Sequence, residues 1–142
     1  MIDLIRFSYQ RFNEDGELTV GFESKPCSAY GGMWVFNKGL WEAGQRFLQY
    51  PLPVDKPVDL SNVGLVHEKN YIQLSAIPLN GMGGIALRVS IAQPFITDGR
   101  VGFRYQASME FSANYEHLTR LGTGLKALSK GDINEFELRL IT

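Results

Sequence analysis

Apolar and polar residues alternate along most of this chain, and the alternation gives way to helical spacing twice. Ile2, Leu4 and Phe7 open a strand-like segment that continues through FSYQRF. NEDG at 13–16 reads as a turn, because Asp15-Gly16 suits the positive φ of a tight hairpin. ELTVGFES then sets Leu18, Val20 and Phe22 on one face of a second strand. CSAYGGMWVF reads as a third strand, in which Gly31-Gly32 marks a bulge or a close backbone approach.

The first helical stretch is NKGLWEAGQRFLQY. Asn37 is its expected N-cap, and Leu40, Ala43, Gly44, Phe47 and Leu48 share one face at 3.6-residue spacing. Pro51 and Pro53 end it. PLPVDKPVDLSNVG is a connector, and Leu65 to His67 is expected to form a brief strand.

Alternation then returns. In NYIQLSAIPL, Ile72, Leu74 and Ala76 oppose Tyr71, Gln73, Ser75 and Ile77. GIALRVSIAQ points Ile85, Leu87, Val89 and Ile91 inward. TDGR at 97–100 is a hairpin signal. RVGFRYQASMEFS is a long strand with Val101, Phe103, Tyr105, Ala107, Met109 and Phe111 on one face. Asn114 caps a second helix with the stripe Leu118, Leu121, Leu125 and Leu128, and Lys130-Gly131 closes it. EFELRLI is a last strand.

Hairpin signals dominate, so the expected architecture is α+β. It is a single domain over residues 1–142, with a largely antiparallel sheet of about six to eight strands and two helices packed against it. A loose echo runs through the order, with strand, helix and strand at about 27–66 and again at about 101–141. Both helices carry glycines on or near their packing regions, Gly39 with Gly44 and Gly122 with Gly124. Glycine weakens a helix by about 1 kcal/mol against alanine. Close approach of helix to sheet is the expected return.

Composition narrows the function classes. A net charge of −1 gives no overall field to draw nucleic acid or an anionic membrane. The single cysteine, Cys27, cannot form an internal disulfide and fits a reducing compartment. MIDLIRFSYQRF carries Asp3 and Arg6 and lacks the apolar run of a secretory signal, so the expected setting is cytoplasmic.

Candidate chemistry is sparse. PLNGMGGIALRV at 78–89 is glycine-rich, yet no Lys-Ser or Lys-Thr follows, and the residues after it read as strand. It therefore departs from both the phosphate loop and the dinucleotide loop. Asn80-Gly81 between two alternating runs is a hairpin turn, or an exposed binding loop with Met82 at its tip. Cys27 has no signature of a catalytic thiol and reads as a small buried residue in a strand. His67 and His117 have no ligand spacing, so neither metal nor cofactor is expected. Glu135 and Glu137 share one face of the last strand and read as its solvated side. Arg88, Arg104 and Tyr105 form no nucleic-acid platform.

Aromatic residues are the informative excess. Tyr30, Trp34, Phe36, Trp41, Phe47 and Tyr50 crowd into one stretch. Most are core material, but Trp34 opposes Met33 across its strand and Trp41 lies off the main helical stripe. Trp34, Trp41 and Met82 are the candidate partner contacts.

GIALRVSIAQ, RVGFRYQASMEFS, HLTRLGTGLKALSKG and EFELRL together resemble small α+β immunity proteins of bacterial polymorphic toxin systems, including the WapI-type group. WVFNKGLWEAGQRFLQYPLP is similar to the first helix unit of such proteins. The resemblance implies a non-enzymatic domain that binds and blocks a toxin, and it transfers no functional residue. The sequence thus leads to a protein-binding domain. Two alternatives stand beside it. One is a small-molecule-binding domain or enzyme with a pocket between sheet and helices, built from His67, Glu68, Arg104 and Tyr105. The other is a homo-oligomeric subunit joined through unpaired strand edges.

Overall fold

A computed structural model describes residues 2–25, 27–54, 57–60, 72–79, 83–94 and 103–141. The elements run β1 (Ile2–Arg11), β2 (Asp15–Ser24), β3 (Cys27–Phe36), α1 (Asn37–Phe47), β4 (Val58–Asp59), β5 (Ile72–Pro78), β6 (Ile85–Pro94), β7 (Phe103–Ala113), α2 (Tyr115–Lys130) and β8 (Glu135–Ile141). The fold is α+β, with antiparallel pairing throughout. The strands form two four-stranded sheets, in the orders β3-β2-β1-β8 and β4-β5-β6-β7.

The expected single sheet is therefore split. Each three-stranded meander pairs locally, as short connections favour. The strand after each helix then joins the opposite meander: β4 pairs with β5, and β8 pairs with β1. The echo noted in the sequence extends to the whole chain, since three strands, a helix and a strand occur twice in succession.

The interiors of the two halves correspond position by position. Leu40, Ala43, Gly44 and Phe47 of α1 and Leu118, Leu121, Gly122 and Leu125 of α2 stand at the same offsets from their helix starts, and all are buried. The two glycines meet where the helices cross. A methyl group added at Gly44 would lie 2.7 Å from the Gly122 carbonyl oxygen, and one added at Gly122 would lie 2.6 Å from the Gly44 oxygen. These glycines serve helix-to-helix contact rather than the expected approach to a sheet. Gly124 does face a sheet, because its added methyl would meet the Phe136 ring at 2.5 Å.

Between the sheets, Phe22 and Phe111 pack edge to face at 6.0 Å. Gly31 admits Ile91, whose methyl would lie 2.7 Å from a Cβ there. That contact explains Gly31, and on the other face a Cβ at Gly32 would lie 3.3 Å from the Leu18 oxygen. β3 pairs with β2 in unbroken register, so the glycines mark close approach and no bulge. The inward residues of β1, β2, β6 and β8 join those of both helices in one core cluster.

Several local expectations are corrected. The first hairpin turns at 12–14, closed by the Phe12 N–H donating to the Asp15 oxygen at 2.9 Å, and β2 already begins at Asp15. Gly16 is a strand residue needed for close approach, because a Cβ there would lie 2.4 Å from the Gln10 oxygen. The N-cap of α1 is Phe36, and its side chain makes no capping bond. Asn37 instead ties the helix to the first hairpin. Its amide donates to the Asn13 oxygen at 2.7 Å, and its Oδ1 accepts from the Tyr9 hydroxyl. α1 stops at Phe47, three residues before Tyr50. The proposed strand at 65–67, the Asn80-Gly81 turn and TDGR at 97–100 lie outside the described residues. The flanking strands β5 and β6 do form a hairpin ladder that closes at Pro78 opposite Ile85.

α2 follows its sequence signals closely. The Asn114 side chain accepts from the His117 N–H, and the Asn114 N–H donates to His117 Nδ1, both at 3.1 Å. This is a reciprocal capping box with imidazole in the usual Glu position. Gly131 closes the helix at φ 80°.

Candidate functional site

The outward side of the β3-β2-β1-β8 sheet carries the most chemically varied surface among the described residues. Alternation places Arg6, Ser8 and Gln10 of β1 outward, with Glu17, Thr19, Gly21 and Glu23 of β2 and Tyr30, Gly32, Trp34 and Phe36 of β3. Register aligns them in rows across the sheet. Tyr30, Gly21, Arg6 and Glu137 form one row, and Gly32, Thr19, Ser8 and Glu135 form the next.

Gly21, Thr19 and Ser8 are small, whereas Tyr30, Arg6, Glu135 and Glu137 beside them are large or charged. The result is a trough of about 1050 Å³. Tyr30 stands at one side, 71% exposed, and Glu135 and Glu137 stand at the other. Tyr105 of β7 reaches the β3 edge, where its hydroxyl donates to the Tyr30 carbonyl oxygen at 2.6 Å. That bond pins the backbone that carries Tyr30. Arg6 spans the trough, with Nη1 3.0 Å from Glu23 and Nε 3.2 Å from Glu137. Arg139 also approaches Glu137, at 3.4 Å. Glu135 and Glu137 are thus solvated strand-face residues, as the sequence suggested.

Trp34 lies two residues along β3 from Gly32, half-buried, with its ring centroid 5.3 Å from that of Phe12. Met33, its neighbour on the other face, is buried. Trp41 lies on the open side of α1, 36% exposed, with the Lys126 ammonium 4.7 Å from its ring centroid. Trp34 and Trp41 therefore sit on separate surfaces, one on the sheet and one on the helix pair. Met82 lies outside the described residues, as do His67 and Glu68.

The remaining candidates do not converge. Cys27 is exposed, against the expectation of burial, because it is the first residue of β3, opposite Ser24 at the connected end of the β2–β3 hairpin. Arg104 points to solvent on β7, and Tyr105 is committed to Tyr30. His117 is held in the capping box, and burial with the nearby Arg120 lowers its pKa below the usual 6.5, partly offset by Glu116. Tyr9 has its pKa pushed up to about 12, chiefly by burial and then by Asp15, with Arg11 opposing. Among the described residues no group of three or more His, Cys, Asp or Glu could hold a metal ion. No described helix is long and apolar enough to cross a membrane.

Sequence reasoning missed the Arg6–Glu23–Glu137 group and the part played by Tyr30. The signal was present: once the first hairpin is turned at 12–14, Arg6 falls opposite Gly21 and diagonal to Glu23, two residues further along β2 on the same face. The place of Glu137 required knowing that β8 returns to β1, which no local pattern encodes.

No protein-family profile matches this chain, and neither the curated proteins nor the solved structures provide a match.

Proposed function

We propose that this chain is a non-enzymatic protein-binding domain that docks its partner on the outward side of the β3-β2-β1-β8 sheet. The occlusion of a toxin by an immunity protein is the proposed setting. The observation that carries the reading is the aromatic row on β3. Tyr30, Trp34 and Phe36 project outward from an edge strand, and Phe12 packs beside Trp34. Tyrosine and tryptophan present large, stiff contact areas and are enriched among residues that dominate binding energy. An edge strand also offers unpaired backbone groups to an incoming chain.

The test is affinity capture from a lysate of the source organism with the wild-type chain and with Tyr30→Ser and Trp34→Ala. A stoichiometric protein held by the wild type and released by the variants, with their thermal melts retained, supports the reading. A partner held equally by all three moves the site elsewhere. Capture of no stoichiometric protein under any condition overturns the reading. Trp34→Ala is expected to weaken binding by about 1–4 kcal/mol if Trp34 is an anchor.

A further inference from the structure

The structure assigns the chemistry of the partner segment that this sheet face accepts: we infer an extended stretch bearing one arginine or lysine, laid across the strands in the trough. The inference rests on the protein-binding reading and goes further by naming what the partner must carry.

Three features converge. The first is shape. Thr19 and Ser8, with Gly21 beside them, floor the trough between Tyr30 on β3 and Glu135 on β8. The second is charge. Glu23, Glu135 and Glu137 line the trough with Arg6, and Arg139 reaches Glu137 from the margin, so three carboxylates meet two guanidinium groups, a net of one negative charge. Arg6 lies between Glu23 and Glu137, whereas Glu135 makes no ion pair among the described residues. A cation entering the trough gains Glu135 and the residual field, and a carboxylate would be repelled.

The third feature is length. Three strand spacings separate β3 from β8, about 14 Å at roughly 4.8 Å each, which an extended chain crosses in about four residues. The cation over Glu135 is therefore accompanied, about four positions away, by an apolar residue against Tyr30.

The experiment uses the full chain, isotope-labelled for amide NMR, and two blocked pentapeptides, Arg-Gly-Ser-Gly-Leu and Glu-Gly-Ser-Gly-Leu. The arginine peptide is expected to shift the amides of Thr19, Gly21, Tyr30 and Glu135, and the glutamate peptide to leave them in place. Glu135→Gln, a change at an exposed position, should weaken the arginine peptide about two- to fivefold, as an exposed ion pair allows. Salt at roughly 0.5 M should weaken it similarly.

Equal shifts from both peptides, no shift in the trough, or indifference to Glu135→Gln overturns the inference. Trough shifts that grow with protein concentration without peptide would assign the face to a second copy and also overturn it. A captured partner that ignores Glu135→Gln removes this assignment alone. Peptide binding without any captured protein removes the wider reading and leaves the chemistry of the trough standing.

Discussion

The two halves of the molecule share an interior and differ on their surfaces. Counted back from the helix starts, Met33 corresponds to Phe111 and Val35 to Ala113, all of them apolar and turned toward the core. The same count matches Tyr30 with Ser108, Gly32 with Glu110 and Trp34 with Ser112 on the outward sides. One sheet thus presents aromatic rings beside a glycine. The other presents hydroxyls and, among the described residues, the ion pair of Arg88 with Glu110 at 2.6 Å, with Ser90 and Ser108 hydrogen-bonded at 2.7 Å. Packing accounts for the matched positions, because both halves must close the same helix crossing. It does not account for the outward run of Tyr30, Trp34 and Phe36 on β3, where β7 carries serine at the positions of Tyr30 and Trp34 and exposes Tyr105.

The comparison can be broken most severely in the core. Leu40→Ala and Leu118→Ala should each lose about 2–5 kcal/mol in denaturant unfolding, and the two losses should agree within about 1 kcal/mol. A large disparity would mean that the halves are not equivalent structural units. At the helix crossing, Gly44→Ala and Gly122→Ala should each destabilise by about 1–3 kcal/mol. Ordinary helix propensity predicts the opposite sign, a gain of about 0.5–1 kcal/mol. Equilibrium unfolding therefore decides whether backbone contact or propensity governs the crossing.

Next come the helix starts, where the halves diverge. Asn114→Ala removes a true cap and should cost about 0.5–2 kcal/mol. Asn37→Ala frees the Tyr9 hydroxyl and the Asn13 carbonyl instead, so its cost should shrink in a Tyr9→Phe background while that of Asn114→Ala should not.

The smallest effects are pH-dependent and of opposite direction. His117 accepts a hydrogen bond at Nδ1 and has its pKa lowered from 6.5. Its contribution is complete above 6.5 and is lost as the pH falls through the lower folded value. Tyr9 rises from 10.0 to about 12, so its contribution is complete below 10.0 and is lost as the pH climbs to about 12. Stability measured against pH should lose its acid arm in His117→Gln and its alkaline arm in Tyr9→Phe.

What the sequence disclosed follows the range of the interactions. The strands and α2 were legible because alternation, Asn114 and Gly131 act within a few residues. The inward faces Leu18, Val20 and Phe22 and Ile85, Leu87, Val89 and Ile91 were read correctly for the same reason. Asn37 was misread because capping depends on one backbone angle, and β3 runs into α1 a residue earlier than composition suggests. The separation into two sheets was illegible, since it rests on β4 and β8 each choosing the far meander. Half of the candidate site shared that difficulty. Trp34 was visible as an outward aromatic, whereas Tyr30 was not singled out and the β8 carboxylates enter through a pairing between opposite ends of the described chain.

That same pairing sets the order in which the protein is completed on the ribosome. β4 is already made when β5, β6 and β7 emerge, so one sheet can assemble as it is synthesised. The other must hold the free side of β1 open until β8 appears. From Phe36 to Ile141 that interval is roughly 5–20 s at a translation rate of about 5–20 residues per second. During it, the bare flank of β1 is a strand edge within reach of every other nascent chain on the same message.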